Sequence, residues 1–468
     1  MKTQPNSPVG CSRTRLYMIA LIAATGGFLF GYDLSIISGA MIFLGDHFQL
    51  DSSGKGIAMS SAILGSILGP LVGMWLNDKI GRRSTLWVAA ICFMISAIGT
   101  ALPRTLFEFC IWRGIGGIGV GLAAMTSPMY IAEISPPHLR GRLVTVNQLA
   151  IVIGINLAVI ASYLLSFGSH WRWMFASEVL PILALALGLF FVPRSPRWLA
   201  SKGREEEALA VLESINGTEQ AERELAEIHA GLQEETGSFR QLLLPGMRKA
   251  MVIGLLIMIF SQINGVNMML LYGPSILHEA GIGDASQSIF FTIFLNLVIL
   301  VSTIIAFWLV QRFGRRPIMI WGVTAMAAGH LIMAGNFFLG GSPFINLLAM
   351  FVAAGAFTLS LAPLSWVIVS EIFPNQLRAK AVSIVCAALY LSSFLCAQFF
   401  PMITEAFQSA TGHPGGAYII FAGICGTCVL VCWKFLPETK DLTLENIGRF
   451  WKSQNGKRAD GRDSSAQL

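Results

Sequence analysis

Apolar residues run along this chain in long stretches broken by short polar segments, and twelve of the stretches stand out by length. They cover residues 17–38, 57–77, 84–102, 107–130, 143–166, 173–192, 249–272, 287–310, 317–338, 346–369, 380–404 and 416–436. A hydrocarbon layer about 30 Å thick takes about 20 apolar residues in a helix, so each stretch predicts one membrane span. Runs of this length cross lipid as helices, because a helix satisfies its own backbone hydrogen bonds where water cannot. The expected fold class is an all-α membrane protein with twelve transmembrane helices. The first stretch has no A-x-A-like cleavage site and carries an acid, Asp33, so it reads as a span and not as a signal peptide.

Composition supports that class. Of 468 residues, 12% are charged and 54% hydrophobic, with mean hydropathy +0.66. Soluble domains carry about 25% charged residues. Threading the loops alternately leaves Lys55, Arg104 and Arg172 on one side and Arg113 inside a span, with every other Lys and Arg on the opposite side. Basic loops stay in the cytoplasm, so both termini are expected there. The net charge of +6 then reports topology and anionic-lipid contact, and no nucleic-acid partner is expected.

The eight cysteines read as packing residues. Cys425 and Cys428 form a C-x-x-C, but inside the last span and without a second pair. His138 and His170 have no ligand cluster around them, so no metal is expected. Gly114, Gly116, Gly117 and Gly119 fit G-x-G-x-x-G but lie in an apolar helix after no strand, so close helix packing is the better reading. Asn216-Gly217-Thr218 is a sequon on the cytoplasmic side.

The chain divides into a cytoplasmic N-terminus (1–16), a six-helix half (17–192), a charged linker (193–248), a second six-helix half (249–436) and a cytoplasmic tail (437–468). Within the linker, Glu205–Leu212 and Glu222–Leu232 read as short amphipathic helices. The halves repeat each other: G-R-R at Gly81–Arg83 returns at Gly314–Arg316, and E-I-S-P-P-H-L-R at Glu133–Arg140 returns as E-I-F-P-N-Q-L-R at Glu371–Arg378. Two six-helix repeats of like orientation describe the major facilitator fold, with substrate expected near the midplane between them.

Several motifs carry a closer resemblance. They are G-G-F-L-F-G-Y-D at Gly26–Asp33, N-D-K-I-G-R-R at Asn77–Arg83, R-G-I-G-G-I-G-V-G at Arg113–Gly121 and S-P-M-Y-I-A-E at Ser127–Glu133. W-R-W-M-F-A-S-E at Trp171–Glu178, S-P-R-W-L at Ser195–Leu199 and P-E-T-K at Pro437–Lys440 complete the set. Over residues 17–450 the chain resembles the sugar porter branch of the major facilitators, and in its N-terminal half bacterial proton-coupled pentose and hexose symporters.

Three charged residues fall inside spans at one level. Counting from the outer ends at 1.5 Å per residue puts Asp33, Arg113 and Glu178 roughly 8–10 Å below the outer surface. Charges at such depth face a bundle interior and find partners. Burial disfavours a carboxylate's charged form and a neighbouring guanidinium favours it, so a contact made and broken would alternate proton affinity. The resemblance implies that Asp33 is the protonation site of a symporter; the bland reading is a static ion triad joining three helices.

At the inner helix ends, Asp78, Arg82, Arg83, Glu133, Arg140 and Arg142, with Arg315, Arg316, Glu371 and Arg378 in the second half, form an expected cytoplasmic latch. Exposed pairs are weak singly, so only a network biases conformations. Gln311 and Arg194 stand where the family carries acids, which alters the latch. For the sugar site the resemblance implies Gln148, Gln262, Asn267 and Trp366. Amides both donate and accept, and an indole packs on a sugar's C–H face. Asn296 is a further candidate, three residues before the family's usual Asn. Ser261, Leu271, Ala362 and Leu389 depart from the family pattern, which implies a different sugar pose. For each polar candidate the alternative is a helix–helix hydrogen bond. Pro363 is expected to kink span ten.

The resulting expectation is a monomeric, cofactor-free secondary transporter of a bacterial inner membrane that imports a sugar or polyol by proton symport. A facilitative uniporter and a non-transporting sugar sensor are the alternatives, the sensor being disfavoured by a short stretch beyond Lys440. No nucleophile, metal or phosphate motif survives in its context, so an enzyme is not expected.

Overall fold

The computed structural model describes residues 13–233, 241–242, 244–373 and 375–436. Among them are helices and no strand, and twelve helical segments are long and apolar enough to cross a membrane. In chain order these spans are Thr14–Phe48, Ser52–Ile80, Arg82–Ala101, Leu106–Ile134, His138–Ser166, Trp171–Phe191, Met247–Leu271, Ala285–Val310, Arg315–Leu339, Pro343–Val369, Lys380–Thr411 and Gly415–Phe435. Several outrun their apolar stretches: span one has 35 residues, about 50 Å of helix, against about 30 Å of hydrocarbon. Large apolar side chains such as Leu180, Phe191, Trp321 and Leu339 are exposed, the arrangement expected of a surface solvated by lipid.

Two compact units form. One contains spans one to six, the helices that follow them and Ala285–Ile293; the other contains the remainder of spans seven to twelve. In the first unit Leu29, Phe93, Val120, Leu122, Ile182, Leu185 and Leu189 build a core from spans one, three, four and six. Spans two and four approach backbone to backbone. A Cβ on Gly117 would collide with the Ala62 carbonyl oxygen, so glycine is required at that position, whereas a Cβ on Gly114 would meet nothing closer than 4.0 Å. After span six, the helices Pro196–Ser201, Glu205–Asn216 and Thr218–Gln233 pack together around Trp198, Leu199 and Ala208.

Three spans are broken, and each break has a local cause. In span six the helix pauses between Ala176 and Val179. Pro181 has no N–H to offer the carbonyl of Ser177, which accepts instead from Leu180 N at 3.3 Å in a tighter turn. Span seven divides at Asn264–Gly265, where Gly265 adopts φ +89°, a left-handed conformation suited to glycine. Span ten divides at Ser360, three residues before Pro363.

Candidate functional site

Packing of spans one and four brings Asp33 and Arg113 into contact. Arg113 Nη1 lies 2.6 Å from Asp33 Oδ1, and Nη2 donates to the Asp33 backbone carbonyl at 3.0 Å. Both side chains are sealed from solvent, at 1% and 0% exposure. The guanidinium also lies over the ring of Phe175, 5.7 Å from its centroid, and Phe109 meets that ring edge-on. Charges taken out of water persist only when paired and hydrogen-bonded, and this guanidinium is both.

Glu178 is equally buried, in the span-six break. It lies within electrostatic reach of both partners. The arrangement is asymmetric, because the hydrogen bonds of Arg113 go to Asp33. Asp33 Oδ2, Glu178 Oε1 and Arg113 Nε are left buried without hydrogen-bond partners. Next to Glu178, Ser177 Oγ lies 2.7 Å from the Tyr32 hydroxyl, which ties the break to span one.

At the opposite helix ends, the two arginines of each G-R-R do different things. Arg82 gives Nε and Nη2 to Glu133 Oε1 at 3.0 and 2.8 Å and Nη1 to the Asn77 carbonyl. Arg315 likewise gives Nη2 to Glu371 Oε1 at 2.9 Å. The second arginines reach backbone instead: Arg83 donates to Phe190 O, and Arg316 to Trp433 O, near the ends of spans six and twelve. Arg140 donates Nε to Ala132 O. The carboxylate of Asp78 has no ion-pair partner among the described residues, while its backbone carbonyl accepts from Trp198 Nε1 at 3.1 Å. The side chain of Arg378 lies outside the described residues.

Two of the amides expected to meet sugar, Gln262 and Asn267, lie at the span-seven joint. Asn267 Nδ2 donates to Gln262 Oε1 and to Ser261 O, each at 3.0 Å, and both side chains are part-exposed. Gln148 and Trp366 are exposed, whereas Asn296 is buried. Leu389 is buried too.

The family model for sugar (and other) transporters matches residues 19–451. The chain belongs to this family. It is 36% identical over 492 aligned residues to the D-xylose-proton symporter of Escherichia coli (strain K12), a match covering 98% of this chain and 99% of the relative. To the arabinose-proton symporter of Bacillus subtilis (strain 168) it is 38% identical over 462 residues, covering 96% and 98%. The xylose transporter XylE from E. coli, in a partially occluded inward open conformation, superposes with TM-score 0.82 at 35% identity, covering 92% of this chain and 100% of that one. Family, relatives and fold are those of major facilitator transporters and not of enzymes.

Several contacts of this sugar transporter family member escaped sequence reasoning. Ser195 donates to Glu133 Oε2 at 2.5 Å and accepts from Trp198 N, so it joins the Arg82–Glu133 pair to the helix Pro196–Ser201 that it caps. A serine directly before a proline-led helix was the available signal. Pro181, inside an otherwise uniform apolar run, marked the break that carries Glu178. Phe175, which covers Arg113, left no signal beyond being apolar.

Proposed function

We propose that this sugar transporter imports a sugar or polyol together with protons by alternating access, with Asp33 as the site that takes and releases the proton. One observation carries the reading. The guanidinium of Arg113 is committed to Asp33 in a solvent-free site, while Asp33 Oδ2 and Glu178 Oε1 each keep an acceptor open to a proton. A proton arriving there removes the charge that holds Arg113, and its departure restores the attraction. The names of the xylose and arabinose symporters support the substrate class.

In the proposed cycle Asp33 is protonated from outside, sugar binds at Gln262 and Asn267 with help from Gln148, Trp366 and Asn296, and the carrier turns inward. Sugar and proton leave on the cytoplasmic side, Arg113 re-engages Asp33, and the empty carrier returns. Arg82–Glu133 and Arg315–Glu371, with Asp78, Arg83, Arg140, Arg316 and Arg378 nearby, act as the cytoplasmic latch. The protein works as a monomer in a bacterial inner membrane with both termini in the cytoplasm.

The test is external pH in a lightly buffered, de-energised suspension of cells expressing the chain, pulsed with pentoses, hexoses, polyols and sugar acids in turn. Alkalinisation with one ligand, absent in Asp33→Asn, supports symport and names the substrate. Silence while labelled sugar still equilibrates overturns the coupling and makes the protein a facilitator.

A further inference from the structure

His330 of span nine is fully buried, and its two ring nitrogens are in different situations. Nδ1 lies 2.7 Å from the Met326 carbonyl, which can only accept, so Nδ1 carries the proton and Nε2 presents a lone pair. No hydrogen-bond partner meets that Nε2. It points at the joint of span seven: a Cβ on Gly265 would come within 2.6 Å of it and would also collide with the Phe421 ring. The imidazole and that ring stand 5.7 Å apart and together form the seat of the joint.

The joint itself is held in one setting by Asn264. Its Oδ1 accepts from Val266 N at 2.9 Å, and its Nδ2 donates to Phe260 O and Ser261 O at 2.9 and 2.8 Å. Cys425 Sγ approaches the Asn264 carbonyl at 3.7 Å. Gly265, with no side chain, is free to leave φ +89° for other conformations. Gln262 and Asn267 lie three residues before it and two after it, so any turn at Gly265 changes their mutual geometry. A buried acceptor without a donor penalises the setting seen here. A setting that turned an N–H of residues 264–266 toward Nε2 would be relieved of that penalty, and a difference between two settings is what shifts their populations.

We propose that His330 is a positioning residue of this joint: its open Nε2 receives an N–H of residues 264–266 in a second setting, and thereby sets how readily Gln262 and Asn267 rearrange during transport. The inference rests on the transport reading above.

Two measurements on the full-length protein test it. Amide hydrogen exchange across residues 258–272 is compared in purified wild type, His330→Phe and His330→Gln, and sugar counterflow is measured in proteoliposomes. Phenylalanine keeps the ring against Gly265 and Phe421 but has no acceptor. Its exchange at 264–266 is expected to slow at least about threefold and its maximal counterflow to fall about tenfold, with the half-saturating sugar concentration changed less than about twofold. Glutamine, which restores an acceptor, returns both toward wild type. Wild-type behaviour in His330→Phe overturns the proposal. So does equal impairment of both variants, which assigns His330 to bulk alone. If the phenylalanine variant does not accumulate in membranes, His330→Met, of similar bulk and without the nitrogen acceptor, is read by the same criteria. The exchange measurement needs no substrate, so it reports on the joint even where wild-type counterflow fails and the transport reading falls.

Discussion

Arg113 holds residue 33 twice, through Nη1 on the Asp33 carboxylate at 2.6 Å and through Nη2 on the backbone carbonyl of the same residue at 3.0 Å. A helix carbonyl keeps a second lone pair after its own helical bond, and the arginine uses it. Span four is thereby fastened to span one at side chain and main chain together.

Removing only the cation strands a buried carboxylate. Arg113→Leu is expected to lower stability by about 3–5 kcal/mol, the range for breaking a buried ion pair from one side. Asp33→Leu combined with Arg113→Leu removes both charges and should recover much of that loss. Thermal unfolding in detergent, monitored for the single and double variants, checks this; an equal loss in both would mean that packing against Phe175, and not charge, accounts for the effect.

Glu133 accepts from Arg82 and from Ser195. Ser195→Ala removes the cap of Pro196–Ser201 as well as that bond, and capping serines are worth about 1 kcal/mol. Faster amide exchange or proteolysis within 195–203, with the spans unaffected, is the expected result.

The Gln262–Asn267 pair is pre-formed across the span-seven joint. Gln262→Ala leaves Asn267 only its bond to the Ser261 carbonyl and deletes a group proposed to meet sugar. The half-saturating sugar concentration should rise about tenfold, as losing a hydrogen bond of 1–1.5 kcal/mol predicts, while proton uptake per sugar is retained. An unchanged value in counterflow assays would make the amide pair a helix joint only.

Two glycines separate close packing from mere presence. Gly117→Ala pushes a methyl into the Ala62 carbonyl and should cut the yield of folded protein sharply. Gly335→Ala, in span nine with no atom within 4 Å of the new methyl, should be neutral or stabilising by up to about 1 kcal/mol. Size-exclusion profiles and unfolding temperatures of the two variants provide the comparison.

The twelve spans could be read directly from sequence. Lipid offers no partner to backbone polar groups, so each crossing must be one long apolar helix, and such runs announce themselves. The repeated G-R-R and the two E-I motifs were legible for the same reason, being local strings. That Asp33, Arg113 and Glu178 could fall at one level was an expectation from helical rise alone. Which of the two acids receives the arginine's hydrogen bonds did not follow from it. That choice depends on distances between helices 80 residues apart in sequence, fixed by contacts such as Gly117 on Ala62 and Phe175 over Arg113. The differing partners of Arg82 and Arg83, adjacent and chemically identical, illustrate the limit: one faces Glu133 and the other the end of span six. Neighbours on a helix point about 100° apart, so what each meets is decided by the helix packed on that side, and only the tertiary structure supplies it.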